Sequence, residues 1–369
     1  MSENLYFSRD TKVFVKKGAN VWEIPILNGF SFAQATNATE INLNEMATAA
    51  GISRRSRKVF NDSYAPAEWS FTTYTRPFIS AGTGTGAADD VANHHAVEDI
   101  LWALAVGDAT YTAGAFPGVT PDTTEMVIDF DSSNSVTLGE AEIFFVLGAC
   151  EGTNTKTYKI AKSVVNEITL NFDIDGISSI DWSGFGSIIE EADSAPTATI
   201  FEAINSTSNF IRNRLTSLAI TGTTADGFES AYSLTLTGGS LSISNNMTFL
   251  TPETLCVVNQ PIGHVTGTRT ISGSFTSYLV FDTAETDKTT NLYEDLVEAT
   301  GVVTNSFGLV FKVGGSSNTP RVEFDIPTAH LEIPTHSLDD IVSIEAAFHA
   351  LPSDMSSTDE MTITYVGAA

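Results

Sequence analysis

The stretch WSFTTYT at 69–75 returns 204 residues later as GSFTSYL at 273–279. In the first copy Trp69, Phe71 and Thr73 alternate with Ser70, Thr72 and Tyr74; in the second, Gly273, Phe275 and Ser277 alternate with Ser274, Thr276 and Tyr278. A period of two predicts strands with one mostly apolar face and one Ser/Thr face. The second strand extends backward through Ile271 and Arg269.

Further matches follow in the same order on both sides. IPILNGFSF at 24–32 places Asn-Gly between two alternating runs, and LTLTGGSLSI at 234–243 places Gly-Gly there. Both dipeptides suit a tight hairpin turn, which needs positive φ at its centre, so a hairpin is expected at each site. Strand-like runs precede them, TKVFV at 11–15 and LTSLAI at 215–220. Each half then offers one helix. HHAVEDILWAL at 94–104 puts Val97, Ile100, Leu101 and Leu104 on one face, and NLYEDLVEA at 291–299 does the same with Leu292, Leu296 and Val297. Glu98–Asp99 and Glu294–Asp295 suit the positive end of a helix and are expected in solvent. EIFFVLG at 142–148 matches GLVFKVG at 308–314, and ISSIDWSGFG at 177–186 matches IVSIEAAFHA at 341–350, with Phe185 set against Phe348.

The spacing between copies falls from about 210 to 164 residues while the order holds, a tandem duplication in which the first copy has longer loops. A repeat this long makes two domains rather than a solenoid. The expected division is a first domain at 1–190, a linker at 191–212 around the acidic, Pro-containing EEADSAPTAT, and a second domain at 213–369. The order of strands and helices predicts a mainly β, α+β class: antiparallel sheets or a sandwich with one helix packed on each copy.

Composition narrows the function. The chain has 369 residues with 18 Lys and Arg against 45 Asp and Glu, a net charge of −27. Such a surface repels nucleic acid, which binds through Lys and Arg. Cys150 and Cys256 lie far apart, outside any metal-ligand spacing, so neither a disulfide framework nor a metal site is implied. No apolar run approaches the length of a membrane-spanning helix. MSENLYFSRDTKVF does not show a signal-peptide pattern.

Catalytic patterns are equally scarce. His94 and His95 are adjacent, and His264, His330, His336 and His349 find no counterpart in the first copy. Neither a nucleophile elbow nor a Walker loop occurs. AGTGTGAADD at 81–90 has glycine spacing like a dinucleotide loop but opens no βαβ unit, so it is a loop. DFDSS at 129–133 and DIDG at 173–176 do not continue into a calcium-binding loop. These are acidic turns. No catalytic, cofactor-binding or metal residue is nominated. One cluster stands out: Arg54, Arg55, Arg57 and Lys58 in GISRRSRKVFND. In so anionic a chain it is expected to dock on an acidic patch of a neighbouring copy, a heterologous contact that builds rings or filaments.

The opening RDTKVFV, the NGFSFAQATNATEINL segment, the run RRSRKVFNDSYAPAEWSFTTYTRPF and its counterpart NQPIGHVTGTRTISGSFTSYL resemble the major tail tube proteins of bacteriophages with long, non-contractile tails. The resemblance covers most of the chain and lies in layout rather than in an invariant motif. It implies β-sandwich tube domains with a flanking helix, joined into stacked rings whose inner strands form a barrel. A duplicated chain then needs three copies for a pseudo-six-fold ring. The segment at 44–67, with its basic cluster, becomes an arm reaching a neighbour, with 249–268 as its second-copy equivalent. The implied partners are the protein itself, tail terminator and distal tail proteins, and genome DNA that passes without specific binding. No cofactor and no membrane are implied; the location is the virion, after assembly in the host cytoplasm. The alternatives weighed are another virion subunit (baseplate, decoration or capsid), an outer-membrane porin, and an acidic carbohydrate-active enzyme.

Overall fold

The computed structural model describes residues 6–41, 58–80, 92–112, 114–130, 137–148, 155–200, 209–223, 227–282, 287–298, 306–315, 320–338 and 340–367. The chain begins with strands β1 Lys12–Lys17, β2 Asn20–Ile24, β3 Ile26–Ala33, β4 Thr36–Ile41, β5 Lys58–Tyr64, β6 Ala67–Tyr74, β7 Pro77–Ile79 and β8 His94–Ala96. Helix α1 spans Asp99–Val106. Next come β9 Val119–Pro121, β10 Met126–Ile128, β11 Ala141–Gly148, β12 Thr155–Asp173, β13 Ser179–Gly186 and β14 Ile189–Ala192. The later strands are β15 Ser217–Thr221, β16 Tyr232–Ser233, β17 Leu236–Ser244, β18 Thr248–Leu250, β19 Gly263–Val265 and β20 Thr270–Tyr278. Helix α2 spans Thr289–Glu298. The chain ends through β21 Phe307–Gly314, β22 Arg321–Leu331, β23 Thr335–Leu338, β24 Val342–Ala350 and β25 Thr362–Val366.

The class is mainly β, as the alternation predicts, and the strand pairings within the sheets are antiparallel. One sheet runs through both halves of the sequence in the order β3–β6–β13–β12–β17–β20–β24–β23. Beneath it lie two further layers. The first is β2–β1–β11–β12–β14, and the second is β16–β15–β21–β22–β25–β10–β9. The long β12 belongs to two layers: its first half pairs with β11 and β14, its second with β13 and β17. The apolar faces meet in one core that includes Trp69, Trp182, Phe145, Phe172, Phe275, Phe311 and Phe348.

The repeated stretches become β6 and β20, with Phe71 and Thr73, or Phe275 and Ser277, inward and Ser70 and Thr72, or Ser274 and Thr276, outward. The flanking runs form β1, β15, β11, β21, β13 and β24. The two expected hairpins do not form. Asn28–Gly29 and Gly238–Gly239 lie inside β3 and β17, where the register slips between Leu27 and Phe30 and between Leu236 and Gly238. The slips are β-bulges, with Asn28–Gly29 as the extra residues in β3 and Thr237 in β17: both flanks stay paired to the same neighbour, β6 or β20, and Gly29 takes a φ of 98° that a side chain resists. The tight hairpin turn is instead at Gly18–Ala19, between β1 and β2, with Gly18 at φ 62°.

The expected helix at 94–104 starts only at Asp99, because His94–Ala96 pair with Pro77–Ile79 as a short strand. Every residue of α1 is buried, Asp99 included. Its sequence, DILWALAV, is apolar all round, as a helix covered on every side must be. In α2 only Thr289, Leu292 and Leu296 are buried, and Val297 is 44% exposed.

Candidate functional site

The outer face of the eight-stranded sheet is built from alternate residues of strands that hide the others. Rows run across it in register. Ser31, Ser70, Ser183, Glu167 and Ser244 form one, and Thr72, Asp181, Thr169, Ser242 and Ser272 the next. Asn171, Ser240, Ser274 and Ala347 form a third, and Asp173, Gly238, Thr276, Glu345 and Thr335 a fourth. The face is therefore hydroxyl-rich and carries Glu68, Asp181, Glu167, Asp173 and Glu345. The strand residues that form it include no Lys or Arg. A groove between β3 and β12 on this side is lined by Ser31, Ser70, Thr72, Glu167, Thr169 and Asp181.

No carboxylate on this face stands directly opposite another. Glu167 lies between Ser183 and Ser244, Asp181 between Thr72 and Thr169, and Glu345 between Thr276 and Thr335. Directly opposed like charges destabilise a sheet, so this spacing lets an anionic face fold. Most strand cations lie on the other layers, while Arg214 borders one end of the face beside Asp173. Lys12 pairs with Glu23 at 2.9 Å, Lys159 with Glu190 at 2.9 Å, Lys16 with Glu142 at 3.3 Å and Lys312 with Glu323 at 3.1 Å.

Two projections leave one end of the sheet. The ribbon β4–β5 follows β3, with Val59 and Phe60 exposed, and β18–β19 follows β17, with Leu250, Leu255, Val257, Val258 and Ile262 exposed. They touch where Asn259 N–H donates to Asp62 O at 3.0 Å and Tyr64 N–H donates to Asn259 O at 2.9 Å. Lys58 opens β5, exposed, opposite Ile41. Arg54, Arg55 and Arg57 precede it and lie outside the described residues, as do 81–90 and 131–133.

The Glu98–Asp99 pair is not in solvent, contrary to the expectation of a hydrated helix start. Glu98 is fully buried, and Tyr365 of the last strand donates its hydroxyl to Glu98 Oε1 at 2.8 Å. Trp102 Nε1–H donates to Tyr365 Oη at 2.9 Å. Arg76 N–H lies 3.4 Å from the same carboxylate oxygen, and His95 Nδ1 stands 3.9 Å from Asp99. Burial pushes the Glu98 carboxyl up to about 7 and that of Asp99 up to about 8. His94 Nδ1 accepts the backbone N–H of Gly367 at 2.8 Å, and burial lowers its pKa. The cluster ties α1, from the first half of the sequence, to β25 at its end. Nothing in the local sequence pattern signals this, because the partners are 267 residues apart.

Among the described residues no three His, Cys, Asp or Glu side chains are grouped to hold a metal ion, and no helix is long and apolar enough to cross a membrane. The surfaces can therefore be read as geometry and charge: an anionic sheet face, two projections and a buried latch.

No family model matches the chain. It is 31% identical, over 376 aligned residues, to tail tube protein pb6 of Escherichia phage T5. The alignment takes in 97% of this chain and 75% of that protein. A mainly β chain that matches such a relative across nearly its whole length belongs to the tail tube proteins of bacteriophages, structural components of the virion.

Proposed function

We propose that three copies of this chain form a ring, that rings stack into the tube, and that the polar face of the eight-stranded sheet lines the bore. The observation that carries this reading is the face itself: five carboxylates, a field of hydroxyls, and no Lys or Arg among the strand residues that form it. Three copies would supply twenty-four strands. At ~4.8 Å per strand these close to a backbone diameter of about 37 Å before tilt, wide enough for a duplex. Phosphates meet no cation on the strands of this face, so DNA passes by repulsion without specific binding. Closure also hides sheet edges that would otherwise aggregate.

In this reading 1–190 and 213–369 are the two tube domains and 191–212 the connection. The projections β4–β5 and β18–β19 reach a neighbour, with Arg54, Arg55, Arg57 and Lys58 set against its acidic surface. Tail terminator and distal tail proteins are the expected partners at the tube ends, and the chain carries no catalytic role.

Negative-stain microscopy of the purified protein tests this. Hollow tubes with a ring repeat of about one domain height are expected, as is their loss in Arg54→Glu/Arg55→Glu/Arg57→Glu with the fold intact. Discrete monomers at high concentration would sink the assembly reading. Normal tubes from the triple variant would remove only the arm's role.

A further inference from the structure

The eight-stranded sheet ends in two strands that each have one neighbour among the described residues: β3 pairs with β6, and β23 with β24. We propose that β23 of one copy pairs antiparallel with β3 of the next, in the register that β12 and β17 already use inside the chain. This rests on the ring reading above and specifies its seam.

The argument is one of equivalent places. Ser31 faces Ser70 as Ser240 faces Ser274, so β3 stands to β6 as β17 stands to β20. Asp181 faces Thr72 as Glu345 faces Thr276, which matches β13 with β24. Thr169 faces Asp181 as Thr335 faces Glu345, so β23 occupies the place of the second half of β12. The layer below agrees: Ile143 faces Ile160 and Leu309 faces Ile326, each beside a register slip at the same point.

The chain therefore contains one closed copy of the joint and the two halves of an open one. In the closed copy Thr169 faces Ser242, Leu170 faces Leu241, Asn171 faces Ser240 and Phe172 faces Gly239. Carried across, Thr335 faces Ala33 of the next copy, His336 faces Phe32, Ser337 faces Ser31 and Leu338 faces Phe30.

Burial supports the transfer. Phe172 is 2% exposed and stacks on Phe311 at 5.6 Å, while its counterpart Leu338 is 81% exposed. The volumes are exchanged across the joint. Where the closed copy sets Phe172 against Gly239, the open one sets the smaller Leu338 against Phe30, which packs on Phe145 at 4.7 Å. Helices tell the same story. α1 lies beside the closed joint, where Trp102 meets Trp182 on one side and Asn245 Nδ2–H donates to Ala105 O at 3.0 Å from the other, and it is buried throughout. α2 lies beside the open edge, with Tyr293 against His336 at 4.4 Å, and is half covered.

The test uses the full chain with Cys150→Ser and Cys256→Ser as background. Ser31→Cys and Ser337→Cys together would put two thiols on one face at directly opposed positions, with Cβ atoms about 4.5–5.5 Å apart, which a shift of up to about 1 Å brings into disulfide range. Mild oxidation of tubes should give covalent dimers and a closed trimer on a non-reducing gel, and nothing larger. Ser240→Cys with Ser337→Cys should give none, because Ser240 already lies between β12 and β20. Normal tubes without the Ser31–Ser337 link would overturn the seam and leave the ring reading standing. Wild-type protein that forms neither rings nor tubes would remove both. Leu338→Asp gives a second readout. It should leave the monomer's melting curve unchanged and cut the assembled fraction by about tenfold or more, since an unpaired charge would be buried at the joint. Wild-type tube yield from that variant would also overturn the proposal.

Discussion

Trp69 and Gly273 occupy equivalent places in β6 and β20, yet no substitution matrix would pair them. Their cross-strand partners explain the exchange. Trp69 faces Gly184, whose added Cβ would lie 2.6 Å from the indole, while Gly273 faces Phe348, whose ring would lie 2.6 Å from a Cβ on Gly273. Each pair contributes one aromatic ring lying over one glycine, and the two halves have swapped which strand supplies which. The volume of the pair is kept while both residues change. Trp69→Ala and Phe348→Ala should each cost about 4 kcal/mol in chemical denaturation of the monomer. Gly184→Ala should also destabilise, by about 2 kcal/mol or more, since its Cβ would meet Val164 O at 2.0 Å. A cost below about 1 kcal/mol for Trp69→Ala would show that the ring is not a core element. The swap also explains a misalignment of one residue. Matching like with like sets Phe185 against Phe348, whereas the register sets Gly184 there and Phe185 against His349.

Helix α1 shows what an element gains from long-range partners. Burial raises the pKa of the two carboxyls at its start, Glu98 and Asp99, and Tyr365 donates to Glu98. A carboxyl whose pKa is raised on folding stabilises the fold at low pH and loses that contribution as pH rises through its folded value. For Glu98 the window runs from 4.5, its ordinary value, to about 7. Over it the contribution of Glu98 alone should fall by about 3 kcal/mol. Glu98→Gln keeps an acceptor for Tyr365 and has no proton to lose, so its stability should change less between pH 5 and 8.5. Denaturation curves at both pH values test this, and equal slopes for wild type and variant would refute it. The strands themselves were legible, because alternation names the buried face of β6 and β20 without knowledge of their neighbours. The turn at Asn28–Gly29 was not. Positive φ serves a bulge as well as a hairpin, and only the partner strand decides between them. The burial of Glu98 was hidden for the same reason: its partner arrives from the other end of the chain.

At the scale of the whole molecule, the net charge of −27 could be read directly, but its placement could not, because acidic residues also line the outer layers. Placement follows from the parity of each strand. Glu167, Asp181 and Glu345 fall on the outward phase of β12, β13 and β24, while eight cations, Lys12, Lys16, Lys17, Lys156, Lys159, Lys162, Lys312 and Arg321, fall on β1, β12, β21 and β22 in the layers beneath or on the turn of β12 between layers. If this segregation keeps DNA moving, reversing it should arrest DNA without disturbing the fold, since the three sites are flanked by hydroxyls rather than by cations. Phage carrying Glu167→Lys/Asp181→Lys/Glu345→Lys should assemble tails of normal appearance yet release DNA about tenfold more slowly at low salt. Added salt should restore the rate, because phosphate contacts weaken steeply with ionic strength. The neutral set Glu167→Gln/Asp181→Asn/Glu345→Gln should fall between the two. Release timed by a fluorescent DNA dye reads all three. If the lysine variant releases DNA at the wild-type rate in low salt, the polar face does not line the bore. If it is slow at every ionic strength, the obstruction is steric and the charge of the face is not what keeps DNA moving.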